Sequence, residues 1–465
     1  MVQPRTVIVG AGLTGLACAF DIARAGSDVR VFERRQQPGG VVGTIARDGF
    51  LFETGPNTIQ GSSAAFLRLV SDLDLASRLI HTGAESATRW LWFQGRLVAL
   101  PRSPLGLLTT PVLSRSARLR LATEVLRGFV PPEDEREPTF EAFLTERIGR
   151  EATQTLAGAF VRGIYAADLS ELGARSAFPR LWDAAVRRGG LVRGLLLGRK
   201  KGGEESRSVR VPRTSLVSFP DGLQELVGAL RRDLGSRVRT GVGVERIERF
   251  GSGWNVATSD GSSVFADRVV LAVQAPAARV LLERANFEEE ARALAAIGHA
   301  SVTVVHLAFA SGLELPRGFG YLVPPAAEAR GSMAPRALGT IFTSNLFPGR
   351  APSGGSSCAS FYRTTDVNSL SDNERIELAR ADLRLALART DVPHPTAHHI
   401  QCWDDVIPRL APGHDRRMTE LTGALRERCP SLHLAGSYIG GVSVDSVIAT
   451  GRATARDVLR RERRA

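Results

Sequence analysis

Between Thr6 and Glu33 the chain leaves itself few choices of fold. Thr6-Val7-Ile8-Val9 is a short β-branched run suited to a buried strand, and it passes directly into Gly10-Ala11-Gly12-Leu13-Thr14-Gly15. Leu16, Ala19, Phe20 and Ala23 then recur at the spacing of a helix with one buried face, and a second strand, Val29-Arg30-Val31-Phe32, stops at Glu33. In a strand, turn and helix of this kind Gly10 makes the tight turn, Gly12 lets a pyrophosphate approach the backbone, and Gly15 packs helix on strand. Unpaired N–H groups at the helix N-terminus receive the phosphates. Glu33, eighteen residues past Gly15, is placed to accept ribose hydroxyls, and its charge repels a 2′-phosphate. The motif predicts a dinucleotide-binding domain.

A length of 465 residues calls for two or three domains, and a hydrophobic content of 43% is that of a water-soluble globular chain. The net charge of +12 asks for an anionic partner or surface without choosing among nucleic acid, lipid and a polycarboxylate. Lys200 and Lys201 are the only lysines, which nearly excludes lysine-dependent chemistry. The arginines are scattered without aromatic interleaving, so no nucleic-acid module is read from them. Cys18, Cys358, Cys402 and Cys429 lie far apart, with no CxxC pair to make a disulfide framework or zinc ribbon, and a reducing cytoplasm fits. The N-terminus has no signal-peptide pattern, and the apolar run Thr6 to Phe20 is too short to span a bilayer, so any membrane contact is expected to be peripheral.

Further along, Gly39-Gly40 suits close backbone approach to a cofactor or a simple turn, and Gly49 to Thr58 reads as a strand ending in a Gly-Pro-Asn turn. Arg89 to Pro101 reads as a hairpin turning at Gln94-Gly95. Ala117 to Phe129 and Thr139 to Ile148 read as amphipathic helices, the second with Thr139 as N-cap. Leu191 to Arg210 mixes leucines, glycines and cations, as a solvated loop or a lipid-facing attachment site would. A helix, hairpin and buried strand between Leu223 and Ala272 return to a nucleotide-binding pattern. From Phe287 to Asp405 several strands and a helix, Asp372 to Arg389, form an α+β unit suited to a substrate floor. His398, His399 and Cys402 do not make a metal site, because strand neighbours face opposite ways and positions four apart lie about 13 Å apart.

Taken together, GAGLTG, Glu33, Gly39-Gly40, FETGPNT (52–58), GIYAAD (163–168), FGYLVP (319–324) and AGSYIGGVSVD (435–445) resemble the protoporphyrinogen and coproporphyrinogen III oxidase branch of the flavin amine oxidase superfamily. The resemblance runs from Val7 to Val458 and implies an α/β plus α+β fold: a GR2-type FAD-binding Rossmann-like domain, a substrate-binding domain with a mixed sheet, and a mainly helical inserted domain. The expected division places the FAD domain at 1–83, 212–276 and 425–465, the helical insert at 84–211, and the substrate domain at 277–424. The implied reaction is oxidation of a porphyrinogen by FAD and dioxygen with release of hydrogen peroxide.

By the same resemblance FAD is held by Gly10, Ala11, Gly12, Leu13, Thr14, Gly15, Glu33, Arg34, Gly40, Gly55, Pro56, Asn57, Thr58, Val244, Trp403, Gly436, Val442, Ser443 and Val444. Phe319 and Leu322 match residues that pack on the macrocycle, although ordinary sheet core explains them too. Gly163 and Ile164 form the wall, and Asn57 sits near the reacting carbon or serves only its turn. Arg96 and Arg102 are the nearest cations to the family's propionate-binding arginine, and neither aligns cleanly. The chain departs from the family at Val41 (usually Arg or Lys), Ala167 (Gly), Arg409-Leu410 (Gln-Tyr) and Ser446 (Asp).

An amine oxidase on the same scaffold is the nearest rival, but its branch uses a lysine that Lys200 and Lys201 do not match in context. A carotenoid desaturase shares only the dinucleotide motif, and a non-catalytic flavin carrier keeps the fold without the chemistry. The choice between protoporphyrinogen IX and coproporphyrinogen III stays open, as does the oligomeric state, a homodimer among the alternatives.

Overall fold

The computed structural model describes residues 5–101, 103, 105–129, 136–192, 216–325 and 333–462. Arg102, Lys200, Lys201 and most of the basic stretch ending at Arg210 lie outside the described residues.

Five parallel strands form the first sheet, in the order Val238–Thr240, Asp28–Glu33, Arg5–Val9, Arg268–Leu271, Leu432–Leu434. Their middle members are apolar on both faces, and Val7, Ile8, Val269 and Val270 are fully buried, as a sheet covered on both sides requires. Segments from the beginning, middle and end of the chain thus share one ladder. The first helix, Leu13–Arg24, packs against the last, Val444–Glu462. A Cβ on Gly451 would lie 2.3 Å from the Thr14 carbonyl oxygen, so that crossing tolerates only glycine.

The second sheet has seven strands, ordered Ala397–Pro408, His299–Phe309, Ser356–Arg363, Gly339–Ile341, Gly320–Leu322, Arg89–Phe93, Arg96–Ala99. The hairpin expected at 89–101 supplies its outer two strands, turning through positive φ at Gln94 and Gly95. Successive residues of each strand face opposite sides. Trp90, Tyr321, Val305 and Tyr362 pack under the helix Asp372–Ala386, whose N-terminus is closed by a Ser371–Glu374 capping box. Leu91 and Leu322 face the other way, toward a helical cluster built on Phe140, Phe143 and Val161. In that cluster the Thr139 hydroxyl accepts from the Ala142 N–H at 3.1 Å, the expected N-cap. A five-residue π-turn, Thr153–Ala157, leads into the helix Gly158–Tyr165, which ends with Ala166 in the left-handed region. Ala167, where the family has glycine, has no positive φ, so a side chain costs nothing there.

The result is the expected α/β plus α+β architecture: a parallel Rossmann-like sheet, a mixed sheet and helical segments. A buried junction ties the strands Phe50–Glu53 and Leu216–Ser218 to the segment that precedes Ser356–Arg363. Arg350 donates to Glu53 Oε1 at 3.3 Å, to Ser218 Oγ at 2.7 Å and to the Phe219 and Pro220 carbonyls. Burial pushes Glu53 up to about 7, against the opposing pull of Arg350, Thr44 and the Leu223 N–H.

Candidate active site

At the C-terminal ends of the parallel strands the first helix begins with Gly12 as its N-cap, and no side chain caps it. The Ala11 N–H donates to Glu33 Oε2 at 2.8 Å and the Val242 N–H to the Glu33 carbonyl, so the motif glycines, the acid and the approach to Val244 form one patch. Arg34 is exposed beside Gly243. Leu13 and Thr14 are buried in the first turn.

Cβ atoms built on the glycines separate packing from binding. On Gly10 one would meet the Ala272 carbonyl at 2.7 Å, and on Gly15 the Gly10 carbonyl at 2.0 Å. On Gly12 it would meet nothing within 4 Å, while one on Gly40 would come within 3.3 Å of the Gly12 Cα. Gly12 and Gly40 therefore lie close together, with open space where a Gly12 side chain would be. These features fit a dinucleotide pyrophosphate, which Gly12, Gly40 and the helix N-terminus would hold, with Glu33 placed for the ribose.

The segment after Glu53 turns over this cleft. A Cβ on Gly55 would strike the Val41 carbonyl at 2.4 Å; Pro56 and Thr58 are half-buried. Val41 packs on the core beneath, so the family's cation is absent from that position. Arg35 lies close by, donating to the Gly40 carbonyl at 3.3 Å, its guanidinium 4.6 Å from the Trp403 ring centre. Trp403 is buried and donates its indole N–H to the Thr54 carbonyl at 2.7 Å, tying the second sheet to this turn. Asn57 is buried with its amide on the Gly55 carbonyl at 3.3 Å, a bond internal to the turn.

Gly436 (φ +152°) and Gly441 (φ +103°) bracket the C-terminal motif. Ser443 opens the final helix, its hydroxyl 2.7 Å from that of Ser446 and accepting from the Ser446 N–H. Ser443 is thus the cap of this helix, and Ser446, where the family has aspartate, bonds to it. Val444 is buried in the first core, whereas Val442 packs on the helical cluster that Leu322 also borders.

Strand register composes the floor beyond. Leu91, Leu322, Gly339, Phe361 and Val304 lie side by side on one face, and Arg89, Gly320, Ile341, Ala359 and His306 form the adjoining row. Ala166, Val302, Val304, Leu338 and Ala359 make a buried cluster where the wall helix meets this floor. A Cβ on Gly163 would come 2.7 Å from Leu322 Cδ2, so wall and floor touch at the two residues the motifs suggested. Ile164 is exposed, as is Phe160 one turn earlier. Phe319 lies under the Arg89 guanidinium, 4.9 Å from its ring centre. Arg96 stands at the exposed hairpin tip opposite Phe93. Phe160, Ile341, Phe361, Arg35 and Arg89 carry no motif; only register and packing bring them here.

Arg409, one of the family departures, pairs with Glu171 at 2.5 Å, and Leu410 is buried in the helical cluster. Behind the wall helix a polar cavity of about 310 Å³ is lined by Glu141, Gln154, Arg162, Asp168 and Arg363. Arg363 is committed there to Asp168 at 2.7 Å, and the lining is too charged for a flat hydrocarbon ring. His398 is exposed, and His399 stacks on His306 at 6.0 Å.

The fold and this arrangement of cleft and floor define a flavoprotein class, and the chain belongs to the flavin containing amine oxidoreductase family, whose model matches residues 13–459. Within that family it is 32% identical to a protoporphyrinogen oxidase from Homo sapiens, covering 98% of each chain. It is 25% identical to a coproporphyrinogen III oxidase from Bacillus subtilis (strain 168), again over 98% of each. A cyclohexylamine oxidase from Brevibacterium oxydans shares the fold at a TM-score of 0.71 with 16% identity, over 99% of each chain.

Proposed function

We propose that this chain is an FAD- and oxygen-dependent porphyrinogen oxidase acting on protoporphyrinogen IX or coproporphyrinogen III in haem biosynthesis. The observation that carries the reading is the contact of Gly163 with Leu322 across an apolar floor that adjoins the dinucleotide cleft. Full-length similarity to relatives bearing both oxidase names supports it.

When bound, FAD supplies hydride acceptance and delivery of electrons to dioxygen, giving hydrogen peroxide. The chain's own part is placement. Gly12, Gly40 and Glu33 hold the nucleotide end, and Gly55 to Thr58, Trp403 and Val442 to Val444 surround the ring end. The first turn of the last helix contributes a positive dipole end there. Leu322, Ile341 and Phe361 exclude water and support a puckered macrocycle, while Gly163 leaves it room. Proton release from the methylene bridge goes to water or the pyrrole system, so no side-chain acid or base is required.

The family rival, an amine oxidase, is disfavoured because the chain's only lysines, Lys200 and Lys201, stand in a sequence context unlike the one that branch uses. No helix among the described residues is long and apolar enough to cross a membrane. A cytoplasmic enzyme touching the inner face of the membrane through its helical insert is supported by exposed Leu119, Leu126 and Phe160 together with the cationic charge of the chain.

The test is anaerobic mixing of the purified flavoprotein with each porphyrinogen. Bleaching of flavin absorbance with appearance of porphyrin fluorescence is expected; an unchanged spectrum with both substrates sinks the reading.

A further inference from the structure

The wall helix Gly158–Tyr165 is held at its C-terminal end by charged groups that the proposed reaction does not use. Ala166 closes it at φ +47°, a strained conformation for alanine that persists only where the surroundings enforce it. Two residues on, Asp168 and Glu171 form a capping box, the Asp168 N–H donating to Glu171 Oε2 at 2.8 Å. We propose that Arg363 and Arg409 are positioning residues of the substrate chamber: their ion pairs clamp this segment to the seven-stranded sheet and so set the gap between the wall at Gly163 and the floor. The inference rests on the porphyrinogen reading.

Arg363 ends the strand Ser356–Arg363. It donates through Nη2 to Asp168 Oδ1 at 2.7 Å and through Nε to the Ala166 carbonyl at 3.3 Å, so one planar fork grips both the helix end and its cap. Arg162 Nε stands 4.0 Å from the same carboxylate oxygen, but it belongs to the wall helix and makes no bridge to the sheet. Arg409 follows the strand Ala397–Pro408, its backbone N–H fixed on the Gly298 carbonyl and its Nη1 2.5 Å from Glu171 Oε1. The two strands flank His299–Phe309 on opposite sides, so the segment is tied to the floor at two separate points. Between those points Ala166 packs on Val302, Val304, Leu338 and Ala359. Gly163 lies within one turn of Ala166, and a Cβ on it would already come 2.7 Å from Leu322 Cδ2, so a small shift of this end changes the room left for a macrocycle. Glutamine, the family residue at 409, lacks the charge for the Glu171 pair. Both pairs are partly exposed, and such pairs add little to overall stability. Their effect falls on where the wall stands.

The experiment compares flavin-loaded wild type with Arg363→Gln, Arg363→Lys, Arg409→Gln and the double Gln variant. It measures steady-state oxidation of protoporphyrinogen IX and coproporphyrinogen III, and binding of the two porphyrin products by fluorescence. Flavin content and melting temperature are expected to match wild type. KM and the porphyrin Kd are expected to rise about threefold to tenfold in each Gln variant and further in the double, with kcat held within about twofold. Arg363→Lys keeps a charge for Asp168 without the fork and is expected to fall between. Unchanged KM and Kd in the Gln variants overturn the assignment; so does a fall in kcat and flavin content with KM unmoved, the mark of a purely structural pair. A wild type that oxidises neither porphyrinogen overturns the porphyrinogen reading beneath it, and the two failures are distinguishable.

Discussion

Arg350 Nη2 stands 3.3 Å from Glu53 Oε1, with only 2% of either side chain exposed, and through this pair the strand that leads to the cofactor turn is fastened to the segment that precedes the second-sheet strand Ser356–Arg363. Two charges out of water are held by a full set of donors and acceptors rather than by their attraction alone.

Removing one partner strands the other. Arg350→Ala is expected to cost about 3–5 kcal/mol, read as a lower denaturation midpoint, because Glu53 must take up a proton in the interior and Ser218 and the Phe219 and Pro220 carbonyls lose their donor. Glu53→Gln keeps an acceptor for the Leu223 N–H and is expected to cost much less. Equal losses in the two variants would contradict this account.

Gly12 and Gly15 should fail differently. Gly12→Ala puts its methyl in open space, so the apoprotein is expected to melt like wild type yet purify without flavin. Gly15→Ala drives a methyl to 2.0 Å from the Gly10 carbonyl and is expected to destabilise the apoprotein by about 1–3 kcal/mol or more. Thermal melts of the apoproteins, with flavin absorbance after reconstitution, separate the two.

At the wall, Gly163→Ala presses a methyl toward Leu322, whose end can swing aside. Alanine also favours the helix by about 1 kcal/mol, so stability should hold or rise while KM for the porphyrinogen increases several-fold. A KM that does not move would remove Gly163 from the substrate wall.

His306 is fully buried between Phe52 and His399, neither ring nitrogen has a hydrogen-bond partner of good geometry, and burial, then His399, lowers its pKa to about 3 against a small pull from the Glu53 backbone. The unfolded chain takes up a proton near pH 6.5 that the folded chain refuses until about pH 3. Its stabilising share is therefore complete above pH 6.5 and lost as pH falls toward 3, at about 1.4 kcal/mol for each pH unit between. His306→Phe, which keeps the stack, is expected to move acid unfolding to lower pH; urea titrations at pH 7 and pH 5 check the slope.

Local patterns were legible because their causes are local. The β-branched run, the turn glycines and the helix face from Thr6 to Glu33 dictate strand, turn and helix within 28 consecutive residues, and the structure has Glu33 accepting from Ala11. The Thr139 cap and the hairpin turn at Gln94-Gly95 depend likewise on residues a few positions apart. Asn57 bonds within its own turn, to the Gly55 carbonyl two residues back, which is a local contact of the same kind.

What the sequence by itself determined, then, is the dinucleotide motif, the hairpin at 89–101, the Thr139-capped helix and the family. The tertiary structure decided which side chains share the floor. Arg89 and Gly320 are neighbours only because two strands more than two hundred residues apart pair in one register, and a slip of one residue between them would put Arg89 and Leu322 on opposite faces. Such pairing is set by long-range packing of the whole sheet, so no window along the chain contains it.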